Sequence, residues 1–204
     1  MTMAPAFLPT MLGRFRLDAL APLAQGTTTG PPDFVGVGTG KAGTSWWFTL
    51  LLQHPQICQN RLGVKELHFF EHLRSEPLTD ADIAHYHAAF ACAAYTRCGE
   101  WSPNYMHYPL ALENLAKAAP SAKLVAMLRN PVDRTLSAIN QQHSTVLGGF
   151  SATPESRYIY ETYSIFPKTV SNSLYADALR RMHRLVDSSQ LLVLQYERCK
   201  RDPS

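Results

Sequence analysis

Residues able to do chemistry cluster in a glycine-rich turn, residues 36–45, which reads GVGTGKAGTS. The apolar run before the turn predicts a buried strand, and the sequence from Thr44 onward predicts a helix. Such a turn gathers unpaired backbone N–H groups and the positive end of the helix dipole at one point. The sequence therefore predicts an anion site, to which Lys41 adds a cation and Thr44 and Ser45 add hydroxyl groups.

Three kinds of anion site fit this turn to different degrees. The nucleoside-triphosphatase pattern GxxxxGK[ST] would need a glycine at Val35 and a magnesium-binding hydroxyl at Ala42, and neither is present. The dinucleotide-binding pattern GxGxxG matches from Gly38 to Gly43, but a pyrophosphate held on backbone amides does not require a lysine. In the third interpretation, the turn binds a group that is being transferred, and Lys41 stabilises the charge that develops on this group. The turn alone leaves these interpretations open.

A second candidate for anion binding follows the apolar run 123–128, which predicts a central strand. Arg129 ends this strand, and Ser137 lies about two turns along a helix that Asn130 and Pro131 are predicted to start. Both side chains can face the carboxyl edge of the sheet, where open α/β folds bind ligands. A planar guanidinium suits a phosphate monoester, whereas Arg134 is interpreted as a surface charge of the helix.

Four segments, in this order along the chain, resemble the sulfotransferases that use 3′-phosphoadenosine-5′-phosphosulfate (PAPS), especially the bacterial and heparan-sulfate-type members. Residues 33–57 resemble the 5′-phosphosulfate-binding segment of that family, VKELHFF resembles its KExHFF element, and GEWSPNY resembles its GExSPxY stretch. The run KLVAMLRNPVDRTLS resembles its 3′-phosphate-binding segment. The resemblance assigns the 5′-phosphosulfate to Lys41, Ala42, Gly43, Thr44, Ser45 and Trp46, and the 3′-phosphate to Arg129 and Ser137.

The resemblance also implies an activity, the transfer of a sulfuryl group from PAPS to a hydroxyl or amine of a small-molecule or glycan acceptor, without a metal. Lys41 would stabilise charge on the transferring group, and Glu66 would take the proton of the acceptor. His68 would act directly or would support Glu66. Trp101 stands where heparan-sulfate enzymes often place a lysine, which argues against assuming a sulfated polysaccharide acceptor.

The resemblance predicts a sulfotransferase-like domain over residues 33–204, preceded by a flexible arm over residues 1–32. In the family, another helix and a basic loop over the adenosine 3′-phosphate follow the segment with which this chain ends, so the resemblance implies a domain lacking its C-terminal part. Two other hypotheses stay open. One is a nucleotide-binding remnant or interaction module without turnover, and the other is an NAD(P)-dependent oxidoreductase.

The elements that must position these residues alternate between short apolar runs and helical patterns. This alternation predicts an α/β protein with a central parallel sheet flanked by helices, and with the resemblance it indicates a P-loop-like three-layer fold. The predicted strands are 34–37, 57–58, 123–128 and 191–194, and the predicted helices are 44–53, 79–97, 108–118, 130–145 and 173–186. Residues 148–170 are interpreted as irregular, with Tyr158, Tyr160, Tyr163 and Phe166 as an acceptor-side lid.

Composition narrows the class of protein further. The 204 residues are 46% hydrophobic, which suits one domain with a sizeable core. The 19 basic and 16 acidic residues are scattered, which argues against a nucleic-acid partner. The four cysteines show no zinc-site spacing, and we interpret them as free thiols. We find no membrane span or secretory signal and expect a cytoplasmic protein; a homo-oligomer remains open.

Overall fold

A five-stranded parallel sheet forms the centre of the computed structural model, which describes residues 20, 22–23, 25–71, 78–92, 96–145 and 166–202. The strands are β1 (Thr28–Thr29), β2 (Phe34–Gly38), β3 (Ile57–Cys58), β4 (Ala91–Cys92), β5 (Arg97–Trp101), β6 (Lys123–Leu128) and β7 (Leu191–Gln195). The central sheet has the order β3-β5-β2-β6-β7. Because all of its pairs are parallel, the carboxyl ends of β5, β2 and β6 meet at one edge.

Seven helices accompany the sheet in the described part of the chain. They are α1 (Thr44–Leu51), α2 (Asp80–His87), α3 (Pro109–Ala118), α4 (Pro131–Thr145), α5 (Phe166–Ser171), α6 (Ala176–Leu185) and α7 (Tyr196–Arg201). Short 3-10 turns occupy Phe69–Glu71, Tyr105–His107 and Ser188–Gln190. None of the described helices is long and apolar enough to cross a membrane.

Two apolar clusters pack against the sheet. Val35 and Val37 belong to the larger cluster, together with residues of α3 and α6, whereas Phe34 belongs to a second cluster with Phe48 of α1. Alternate residues of a strand point to opposite faces, so the two clusters lie on the two sides of β2. This arrangement confirms the predicted α/β fold with a central parallel sheet between helices.

The prediction of one helix over residues 79–97 was wrong. Its start is correct, because Thr79 accepts a hydrogen bond from the Asp82 N–H and forms a capping box with that residue. The helix ends at His87, however, and β4 and β5 follow it. Gly99 lies inside β5 rather than after a helix, and a Cβ at this position would strike the carbonyl oxygen of Phe34.

Other predictions concern segments at the edge of the described residues or outside them. Thr28–Thr29, within the predicted N-terminal arm, pairs in antiparallel fashion with Ala91–Cys92. The arm prediction for residues 1–19 lies outside the described residues, as does the lid prediction for Tyr158, Tyr160 and Tyr163. Phe166 of that predicted lid begins α5 and is exposed.

Trp101 at the end of β5 packs against Gly36 of the neighbouring strand β2. The indole is buried, and a Cβ at Gly36 would overlap its ring. Trp101 Nε1 also donates a hydrogen bond to the Gly38 carbonyl at 3.4 Å. Trp101 is therefore a core residue that supports the strand before the glycine-rich turn, rather than a side chain directed at an acceptor.

We predict that Gly36→Ala destabilises the protein by about 3 kcal/mol, because the indole is rigid and enclosed and overpacking cannot be relieved by a rotamer change. Denaturant unfolding measures this loss. Gly30→Ala is the control, because a Cβ at Gly30 meets nothing within 4 Å, and its effect should stay within about 0.5 kcal/mol. Equal stability of the two variants would contradict the assigned contact between Gly36 and Trp101.

Candidate active site

The glycine-rich turn forms a loop, residues 38–44, at the carboxyl edge of the sheet between β2 and α1, hereafter the anion loop. Gly43 is the N-cap of α1 with φ 76°, and no side chain caps the helix. A Cβ at Gly43 would come within 2.9 Å of the Tyr196 ring, so both the conformation and the space favour glycine. The first N–H groups of α1 are thus left for a ligand, as at other anion-binding helix starts.

Two arginines hold the carbonyl groups of the anion loop. Arg129 Nη1 donates to the Lys41 carbonyl at 3.1 Å, and Arg134 Nε donates to the Gly40 carbonyl at 3.1 Å. Arg134 Nη1 also donates to the Thr169 carbonyl at 2.7 Å and to Ser173 Oγ at 3.2 Å. The backbone of Lys41 has φ 70°, a conformation that costs a non-glycine residue about 1 kcal/mol, and these bonds hold it there.

The interpretation of Arg134 as a surface charge was wrong. The residue is 5% exposed and connects the anion loop to α5 and to Ser173. Its partners on α5 are remote in sequence, so no local pattern predicts these bonds. Helical spacing could have predicted the face of α4 on which Arg134 lies. Arg134 and Ser137 are three residues apart and are therefore neighbours on the surface of this helix.

The structure brings the predicted 3′-phosphate residues together. Arg129 and Ser137 line a groove of about 530 Å³ that Lys41 and Gln141 also line. The Arg129 guanidinium lies 5.0 Å from the centre of the Tyr196 ring, which restrains the arginine through a cation–π contact. Lys41 of the anion loop and Arg129, the residue after β6, thus line one groove.

A cavity of about 490 Å³ lies on the other side of Lys41, and Thr44, Ser45 and Glu66 also line it. The predicted members of the anion site do not all reach this cavity. Ala42 is fully buried, and Trp46, which is 46% exposed, lines neither the cavity nor the groove. The roles of the predicted site residues stay predictions.

Charged side chains of alternating sign extend from the cavity wall. Lys65 Nζ lies 2.7 Å from Glu66 Oε1, and Glu66 Oε2 lies 2.9 Å from His68 Nε2. The other ring nitrogen of His68, Nδ1, lies 2.7 Å from Glu71 Oε1. Lys65 also donates to Thr44 Oγ1 at 3.0 Å and to Ser45 Oγ at 3.1 Å, and so joins Glu66 to the anion loop. Lys65 was not among the site residues predicted from the sequence, although it immediately precedes Glu66.

This arrangement shifts the pKa values of Glu66 and His68 in opposite directions. Burial pushes the pKa of Glu66 upward, but hydrogen bonds from His68 and Lys65 outweigh it and lower the pKa overall. Hydrogen bonds to Glu66 and Glu71 raise the pKa of His68 to about 10, against the effect of burial. At neutral pH His68 is therefore an imidazolium that donates to both carboxylates, while Glu66 is ionised.

The backbone beneath these side chains is fixed by β5. Glu100 Oε2 accepts the Leu67 N–H at 3.0 Å, and Ser102 Oγ accepts the His68 N–H at 2.9 Å. These bonds hold His68 at φ 53°, in the left-handed region. The orientation of Glu66 and His68 thus depends on residues of the GEWSPNY stretch.

Comparisons with known proteins agree with this architecture. A family model described as a sulfotransferase domain matches residues 31–204. The chain belongs to the sulfotransferase domain family. The membrane-associated sulfotransferase kil1 of Dictyostelium discoideum is 30% identical over 106 residues, which are 52% of this chain and 22% of that protein. The bifunctional heparan sulfate N-deacetylase/N-sulfotransferase 4 of Mus musculus is 25% identical over 192 residues, 85% of this chain and 21% of that protein.

Solved structures of sulfotransferases resemble this sulfotransferase domain as well. A sulfotransferase from Alicyclobacillus acidocaldarius matches with a TM-score of 0.63 and 29% identity, over 84% of this chain and 76% of that one. The sulfotransferase domain from the curacin biosynthetic pathway shares the fold, with a TM-score of 0.56 and 14% identity over 86% and 71% of the two chains. This sulfotransferase domain spans about a fifth of the length of the curated relatives it matches.

We predict that His68 makes stability depend on alkaline pH. Its folded-state pKa of about 10 lies above the ordinary value of 6.5, so the imidazolium stabilises the fold fully below pH 6.5, and this contribution is lost as the pH rises through 10. The free energy of unfolding should fall by about 2 kcal/mol more between pH 6.5 and 10 in the wild type than in His68→Gln. His183→Gln, at an exposed position of α6, should follow the wild-type profile.

We predict that Arg134→Met loosens the anion loop. The change removes three hydrogen bonds and should cost about 2–3 kcal/mol of stability. Hydrogen exchange should rise most at residues 39–43 and at α5, because Arg134 connects these segments. Arg180→Met, which removes an exposed arginine of α6 paired with Asp177, is the control. Uniform exchange changes across the protein would contradict the assigned role.

Proposed function

We propose that this protein transfers a sulfuryl group from PAPS to a hydroxyl or amine of an acceptor. One observation carries the proposal. The cavity and the groove share Lys41 and Gln141, with Glu66 in the cavity and Arg129 and Ser137 in the groove. A donor with anionic groups at two ends can therefore reach both compartments across the anion loop, and membership of the sulfotransferase domain family supports this choice of donor.

We assign to Lys41 the stabilisation of the sulfuryl group during its transfer. Among the described residues no carboxylate lies within ion-pair distance of its side chain, whereas Lys65 is engaged by Glu66. In the proposed reaction the acceptor oxygen or nitrogen forms a bond to sulfur. The bond from sulfur to the bridging phosphate oxygen breaks, and adenosine 3′,5′-bisphosphate leaves. The ammonium group of Lys41 would stabilise the charge that develops on the bridging oxygen.

We assign to Glu66 the removal of the proton from the acceptor. Its carboxylate lines the cavity, and its lowered pKa keeps it ionised at neutral pH. Each carboxylate oxygen accepts one bond from Lys65 or His68 and retains a further lone pair for an acceptor O–H or N–H. His68 is a positioning residue, because both of its ring nitrogens are occupied by carboxylates.

Arg129 and Ser137 are assigned to the 3′-phosphate of the donor. The guanidinium is held by the Lys41 carbonyl and by the Tyr196 ring. A preorganised, permanently charged donor of this kind suits a phosphate monoester, and the hydroxyl of Ser137 lies in the same groove. Binding at Arg129 and Ser137 would therefore distinguish a ligand that carries two phosphate groups from a ligand that carries one.

Melting and transfer measurements test the proposal together. Adenosine 3′,5′-bisphosphate should raise the melting temperature, and NAD and NADP should not. Arg129→Ala should remove that shift. With labelled PAPS and a panel of phenols, amines and monosaccharide glycosides, Lys41→Met should lower the transfer rate by about 100-fold while the fold remains intact.

The matched control is Lys117→Met, which removes the same charge from an exposed position of α3. It should leave both the melting shift and the transfer rate unchanged. A melting shift with NAD instead of the bisphosphate would overturn the proposal, whereas an unchanged rate in Lys41→Met would remove Lys41 from the mechanism. Binding of the bisphosphate without transfer to any acceptor would show a nucleotide-binding domain without turnover.

A further inference from the structure

Positive charges outnumber carboxylates in the described lining of the cavity. Among the described residues, four cationic side chains line the cavity, and Glu66 is the one carboxylate in its lining; the four are Lys41, Lys65, Arg134 and Lys168. Three of the cations are already accounted for. Lys65 pairs with Glu66, Arg134 is engaged by backbone and hydroxyl oxygens, and Lys41 belongs to the anion loop.

Lys168 is the remaining cation among the described lining residues. It is an exposed residue of α5, outside the anion loop, and none of the ion pairs between described residues includes it. Its Nζ lies 6.0 Å from the centre of the Tyr108 ring, which is a weak contact. Lys168 also contributes, after burial and the charge of Arg134, to lowering the pKa of His107 to about 4, so its charge acts on a neighbouring buried side chain.

The other described residues of the cavity wall are mostly polar. Asn104, Gln142 and Asn172 offer amide donors and acceptors, and the largest apolar side chains among the described lining residues are Pro103 and Ala138. A site for an apolar acceptor is lined mainly by hydrophobic and aromatic side chains. The described walls instead suit an acceptor with several hydrogen-bonding groups.

We propose that the acceptor is a polar molecule that carries an anionic group, and that Lys168 binds this group while the acceptor nucleophile faces Glu66. The orientation of the acceptor nucleophile toward Glu66 rests on the proposed sulfuryl transfer. The preference of the cavity for an anionic acceptor does not depend on that transfer. Carboxylate and phosphate acceptors share the chemistry that Lys168 would recognise.

Binding measurements with matched acceptor pairs test this inference. Each pair has one member with a carboxylate and one without: p-nitrophenyl β-glucuronide with the β-glucoside, and 4-hydroxyphenylacetate with its amide. Calorimetric titration into the protein saturated with adenosine 3′,5′-bisphosphate should show that the carboxylate member of at least one pair binds about fivefold more tightly. Lys168→Met should remove this preference, and Lys117→Met should retain it.

Two results would overturn the inference. One is the absence of any preference for the carboxylate member in both pairs. The other is a Lys168→Met variant that lowers transfer to both members of a pair equally, which would place Lys168 on the donor side. If the bisphosphate itself does not bind, the proposed donor is wrong. The same titrations into the ligand-free protein then still measure the charge preference at Lys168.

Discussion

A buried carboxylate on β5 is the interaction on which the geometry of the site depends. Glu100 is fully buried and accepts hydrogen bonds from Tyr86, Tyr105, Ser102 and the Leu67 N–H. Burial raises its pKa, and the four donors act against that effect. A buried carboxylate without its donors is costly, so these hydroxyls and this backbone must stay in place. The segment that carries Glu66 and His68 is thereby bound to the central sheet.

On the other side of the cavity, the anion loop is held by positively charged donors. Arg129 and Arg134 donate hydrogen bonds to the carbonyl oxygens of Lys41 and Gly40. A free carbonyl oxygen would repel an anionic ligand, whereas a carbonyl oxygen that accepts a bond from a guanidinium has its negative charge compensated. The loop can then present N–H groups and the Lys41 ammonium to the ligand. The two arginines thus fix the backbone of the anion loop and also place positive charge in the walls of the cavity and the groove.

Local patterns sufficed for the fold class and for an anion site with one lysine and one arginine, the family resemblance supplied the residue roles, and tertiary contacts decided the rest. The strand before the anion loop and the Arg129 turn could be predicted because apolar runs, glycines and Asn130-Pro131 are local signals. Strand β5 could not, because RCGEW lacks β-branched residues and includes a glycine and a carboxylate. Gly99 is required by the Phe34 carbonyl, and Glu100 is satisfied by distant hydroxyls. The buried position of Arg134 could not be predicted for the same reason, because its partners on α5 and at Ser173 are distant in sequence.

The charge pattern around Glu66 also bears on how a carboxylate of low pKa can serve as a base. A base works best when its pKa lies near the working pH, and Lys65 and His68 hold the pKa of Glu66 below its ordinary value in the ligand-free protein. An anionic donor beside Lys41 would add negative charge to the same cavity, and a nearby like charge raises the pKa of a carboxylate. Donor binding would therefore move Glu66 toward the range in which it accepts a proton effectively. In the proposed reaction His68 would orient Glu66, because both of its ring nitrogens are engaged by carboxylates and its pKa is raised to about 10 while Glu66 is ionised.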